Sequence, residues 1–83
     1  VAREDFRVAF GRRVRELRDQ LQLSQEQLAE RAGLHRNYVG GIERGERNVA
    51  IINVVKLAAG LDTSVAELFK PFDRVPKRRS RTA

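Results

Sequence analysis

The 83-residue chain has no cysteine, no methionine and no tryptophan, one histidine and two prolines. Without cysteine there is no disulfide framework and no thiolate metal site, and one histidine rules out a multi-histidine metal site. Without methionine the chain lacks an initiator residue, so it is expected to be processed, trimmed or cut from something longer. No apolar run approaches the roughly 20 residues that cross a bilayer, and no secretory signal is visible at the N-terminus. There is no Gly-rich phosphate loop and no grouping of nucleophile, base and metal ligands. No enzymatic activity, metal, cofactor or small-molecule ligand is expected.

What is present is charge and helical periodicity. With 41% hydrophobic and 34% charged residues, the composition suits one soluble globular domain. The formal net charge is +6, unevenly placed: residues 1–69 carry 11 basic against 10 acidic side chains, whereas residues 70–83 carry 6 against 1. The basicity therefore belongs largely to the tail, and a nucleic-acid reading of the folded part must rest on pattern. No internal repeat and no strand-like alternation is found.

Phe6, Phe10, Val14, Leu17 and Leu21 recur at spacings of three and four, the stripe of an amphipathic helix over about Asp5–Leu21. The opposite face, with Arg7, Arg12, Arg15, Glu16 and Asp19, reads as solvated. Ser24 is an N-cap, Gln27 completes a capping box, and Leu23 with Leu28 forms a hydrophobic staple. Gly33 ends this second helix where a left-handed backbone is wanted.

A third short helix runs from about Arg36 to Arg44, held by packing through Val39 and Ile42 against the propensity of Gly40-Gly41, and closed by Gly45. The glycines are expected to let another backbone come close. A fourth helix, about Ile51–Ala59, is apolar nearly all round and so is buried, or half buried and half in an interface. Gly60 ends it. Ser64 with Glu67 gives a second capping box, and a short fifth helix runs through Phe69 until Pro71 stops it.

Two short helices joined by a Gly-containing turn, residues 25–44, make a helix-turn-helix, whose second helix lies in the DNA major groove. Five short helices carrying that motif at the second and third resemble the lambda-repressor/Cro-like (Cro/C1-type, XRE) family. The resemblance spans Val14–Phe69 through Leu23-Ser24-Gln25, Leu28-Ala29, Ala32-Gly33-Leu34, Val39, Ile42-Glu43-Arg44-Gly45, Lys56-Leu57-Ala58 and Glu67-Leu68-Phe69. The run GLHRNYVGGIERGERNV further resembles the small dimeric controller proteins of restriction-modification systems.

The resemblance implies an all-α, five-helix DNA-binding domain over residues 1–70, with a flexible basic tail over 71–83. It implies small residues at Ala29 and Gly33 for a close helix crossing, and a phosphate anchor at Gln25. Arg36, Asn37 and Tyr38 would face base edges and nearby phosphates, and Arg44, Arg47 and Asn48 the sugar-phosphate backbone. His35 reads as a helix-start residue or a phosphate contact, and Tyr38 as a DNA contact or a packing residue. Arg18 and Glu43 match a structural ion pair, with a phosphate as the other reading for Arg18. Three departures stand out: Gln22 where glycine is frequent, implying positive φ; Ala50 where a Ser/Thr cap is usual, with Asn48 as a substitute; and Gly41 where a base-reading side chain often stands.

The implied protein is a cytoplasmic, nucleoid-associated regulator that binds double-stranded DNA as a homodimer. Its dimer face is expected to use Val65, Leu68, Phe69 and Phe72, and the tail is a solubilising segment or a DNA-gripping arm. A protein-binding module of the antitoxin or coactivator type, or the DNA-targeting domain of a longer protein, are the alternatives.

Overall fold

The computed structural model describes residues 5–72; the tail residues 73–83 lie outside the described part. It contains α1 (Phe6–Gln20), α2 (Gln25–Ala32), α3 (Arg36–Glu43), α4 (Ile51–Gly60) and α5 (Val65–Leu68), followed by a 3-10 turn over Lys70–Phe72. No strand occurs among the described residues. α1 packs on α3, α2 packs on both α3 and α4, and α4 carries α5. Phe10, Val14, Leu28, Val39, Ile42, Val54, Leu57 and Leu68 form the core. Of the predicted α1 stripe, only the middle is inside: Phe6 and Leu21 lie at the surface.

The helix starts follow their local chemistry. Asp5 caps α1 by accepting from the Arg7 backbone N–H, and the Arg7 side chain closes over it. Those two hydrogen bonds, the side-chain one foremost, bring the Asp5 carboxyl down to about 2. Ser24 and Gln27 form the reciprocal box at α2. At α5 only half of the expected box exists: Ser64 accepts from the Glu67 N–H, while the Glu67 side chain lies beside Arg13. α4 begins at Ala50 with no side-chain cap, so Asn48 does not substitute for the missing hydroxyl.

Gly33 takes φ 70° with open space around its α-carbon, so it serves the backbone turn and not a helix crossing. The close crossings lie elsewhere. A Cβ on Gly11 would run into the Ile42 and Glu43 carbonyls, and one on Gly60 would sit 2.9 Å from the Ala32 Cβ. Gly60 is thus the last helical residue of α4 and a packing position, and the left-handed turn falls on Asp62 at φ 57°. Gln22 adopts φ 59°, as its glycine-like position implied. Pro71 lies within the 3-10 turn, and Phe72 packs edge-on against Phe6, so the fold extends past the expected tail boundary at residue 71.

Two arginines tie helix ends together. Arg31 Nε donates to the Gly60 carbonyl at 2.7 Å, and Arg13 donates to the Glu67 carbonyl at 2.6 Å and the Leu68 carbonyl at 3.2 Å. Both satisfy carbonyls that a helix C-terminus leaves without partners.

Candidate nucleic-acid interface

The first turn of α3 is built to face outward. His35 is its N-cap, with Nδ1 accepting from the Asn37 N–H at 3.2 Å. Arg36 and Asn37 are exposed, whereas Val39 and Ile42 on the opposite side are buried. This places a guanidinium and a carboxamide, the side chains that pair bidentately with guanine and adenine, at the leading end of an outward helix.

Behind them stands a three-member polar cluster. Arg18 on α1 donates from Nε and Nη2 to the two Glu43 carboxylate oxygens at 2.7 and 2.9 Å, and from Nη1 to the Leu23 carbonyl at 2.7 Å. The Glu43 hydrogen bond holds the Arg18 guanidinium proton above its ordinary range. Gln25 Nε2 also donates to Glu43, at 3.0 Å. Gln25, His35, Arg36 and Asn37 are thereby referenced to one rigid frame made by α1, α2 and α3.

Tyr38 is half-buried. It is both fixed and partly open: its hydroxyl accepts from Asn53 Nδ2 at 3.0 Å, and the Arg47 guanidinium lies 5.5 Å from the ring centroid. The paired glycines of α3 explain the arrangement. Among the described residues the nearest atoms are side chains and not another backbone: a Cβ on Gly41 would meet Arg47 at 3.1 Å, and one on Gly40 would meet Arg44 at 3.1 Å. The helix face is bare so that two loop arginines can lie across it. Arg44 is further held by Glu46, Nε to Oε2 at 3.0 Å, a pairing that raises the arginine and lowers the carboxyl. Arg47 and Asn48 are exposed on the loop beside α3.

The expected dimer face needs correction. Leu68 is 0% exposed and belongs to the core, so it has no surface to offer. Phe69 and Phe72 are half-buried in an aromatic cluster, with Phe69 stacked on Phe10 at 5.4 Å and Phe72 against Phe6 at 4.8 Å. Val65 is exposed. The larger apolar surface is the outer side of α4, where Ile51 is 82%, Ile52 58% and Val55 50% exposed. Sequence reading saw α4 as apolar all round, and the structure divides it: Val54, Leu57 and Ala58 face in. Asn53 was missed altogether, although a lone polar residue in the run IINVV was its signal.

Among the described residues no group of His, Asp and Glu could hold a metal ion, and no helix is long and apolar enough to cross a membrane. Residues 14–68 match the helix-turn-helix family HTH_3. The chain is 55% identical to the restriction-modification controller protein C.AhdI from Aeromonas hydrophila, whose crystal structure superposes with a TM-score of 0.77, covering 80% of this chain and 100% of that one. Control protein C.SmaI of Serratia marcescens is 48% identical over 64 residues, 77% of this chain and 76% of its own. Control protein C.MunI of a Mycoplasma species is 38% identical over 71 residues, 84% of this chain and 96% of its own.

Proposed function

The chain belongs to the HTH_3 helix-turn-helix family, and from that premise we propose that it is a sequence-specific, DNA-binding controller acting as a homodimer on an inverted-repeat operator. The coarser part needs no proposal: it is a helix-turn-helix transcriptional regulator of the restriction-modification controller type, and not an enzyme.

The observation that carries the reading is the first turn of α3: Arg36 and Asn37 are exposed at the leading end of a helix whose other side is locked into the core. Arg36 and Asn37 read base edges, Tyr38 meets a base edge or a nearby phosphate, and Gln25, His35, Arg44, Arg47 and Asn48 meet the flanking backbone. A single short helix reads only a few base pairs, so a twofold pair reading half-sites about 34 Å apart supplies the missing information. The exposed Ile51, Ile52 and Val55, with Val65, form the surface on which a second copy would sit. Such a regulator works in the cytoplasm, on the nucleoid.

A gel shift on the DNA upstream of the gene tests this. An inverted repeat there should be bound, Arg36→Ala should relax the preference for it over random DNA, and Arg47→Ala should weaken both and lower the salt slope by about 1. Equal losses on both DNAs for both variants would contradict the division of roles.

A further inference from the structure

Asn53 lies in the first turn of α4, outside the helix-turn-helix, yet its side chain reaches the reading helix. Its Nδ2 donates to the Tyr38 hydroxyl oxygen at 3.0 Å. Tyr38 packs on the core along one side and carries the Arg47 guanidinium over its ring. The ring is therefore set by three contacts: α4 at the hydroxyl, the loop at its face and the core behind it.

A tyrosine hydroxyl has one proton to give and two lone pairs to receive. With Asn53 donating into the oxygen, the hydroxyl proton is directed away from Asn53, and among the described residues it has no acceptor. A phenolic hydroxyl left to itself would divide that proton between its two orientations in the ring plane. We propose that Asn53 is a positioning residue for DNA recognition, fixing Tyr38 as an outward hydrogen-bond donor to an acceptor oxygen of the duplex. The inference rests on the DNA-binding function proposed above and deepens it. It also links the reading helix to α4, whose outer side carries the exposed isoleucines.

The test is a double-mutant cycle by fluorescence anisotropy on two duplexes of about 30 base pairs, long enough for two half-sites one turn apart. One is the tightest duplex that the wild type recovers from a randomised pool; the other has random sequence. Asn53→Ala and Tyr38→Phe should each weaken binding about 3- to 10-fold, the range of one hydrogen bond, and the double variant should bind no more weakly than Tyr38→Phe alone. Losses on both duplexes place the acceptor on a phosphate, and losses confined to the selected duplex place it on a base edge.

Asn53→Asp keeps the side chain's size and its negative charge suits the first turn of a helix, so this variant should fold even where Asn53→Ala does not. A carboxylate only accepts, so it would draw the Tyr38 proton inward. Its penalty should therefore be larger with Tyr38 present than in the Tyr38→Phe background, where only its charge acts. Losses that multiply in the double variant, or equal penalties for Asn53→Asp in both backgrounds, would overturn the role of Asn53 while leaving DNA binding intact. A wild type that recovers no preferred duplex and binds neither would remove the functional reading itself.

Discussion

Glu43→Ala separates what the polar cluster does for folding from what it does for DNA. The Glu43 side chain is 3% exposed and that of Arg18 is 11% exposed. Removing the carboxylate strands the guanidinium, which among the described residues keeps only the Leu23 carbonyl at 2.7 Å and Asp19 at 3.5 Å. Breaking one side of a buried pair costs about 3–5 kcal/mol, and the way out toward Asp19 and solvent brings the expected loss to about 2–3 kcal/mol. A domain of this size holds only about 5 kcal/mol in total. With a urea m-value of about 1 kcal/mol/M, the midpoint should fall by about 2–3 M.

The companion variant replaces both charges, Arg18→Met with Glu43→Leu. Exchanging a whole buried pair for apolar side chains leaves no stranded charge, so stability should return to within about 1 kcal/mol of the wild type. DNA affinity should not return, because Gln25 has lost the carboxylate that holds its amide. Urea denaturation followed by circular dichroism and anisotropy on the selected duplex read the two effects. A midpoint shift below about 0.5 M for Glu43→Ala, or a double variant that recovers DNA binding along with stability, would refute the reasoning.

Under the homodimer proposed above, Ile52→Asp on the outer side of α4 should leave the monomer folded and raise the dimer dissociation constant at least about 10-fold, read by analytical ultracentrifugation; an unchanged constant would refute α4 as the proposed dimer face. Glu46→Gln should tighten binding to specific and random DNA alike and steepen the salt dependence, because Glu46 is in competition for Arg44 with the phosphate contact proposed above. In the wild type the Glu46 carboxyl is held below its ordinary range, so this competition is present at neutral pH and is lost as pH falls through that lowered range. Gly11→Ala should lose about 2 kcal/mol or more in a melt, since the methyl group would meet the Ile42 and Glu43 carbonyls and push α1 off α3.

Local signals were legible because local chemistry decides them. Ser24 with Gln27 and the positive φ of Gly33 follow from a residue and its near neighbours, whereas the positive φ of Gln22 and the outward Arg36 were legible only through the family resemblance. Contacts between elements were harder. Nothing in the neighbourhood of Gly11 says that another helix's carbonyls lie against it, and nothing in the helix ends ERAG and LAAG distinguishes the capping Gly33 from the packing Gly60. Leu68 and Ile52 look alike as apolar residues on short helices, and only the fold puts one in the core and the other in solvent. Asn53 was visible as an anomaly, but its partner was 15 positions away.

The same division explains why net charge is a poor guide here. Arg7 closes a helix cap, Arg13 and Arg31 hold the carbonyls of other helices, and Arg18 anchors Glu43. Those arginines build the frame. Arg36, Arg44 and Arg47 lie on α3 and the loop after it, and Gly40-Gly41 keeps the intervening surface bare so that Arg44 and Arg47 cross it. A side chain at position 41 would have to displace Arg47 by a few tenths of an ångström, and with it the contact over Tyr38. Gly41→Ser should therefore cost DNA affinity through Arg47 and Tyr38, and the penalty should shrink once Arg47 is already alanine. Independence of the two substitutions would mean that the bare helix face has no part in placing the loop.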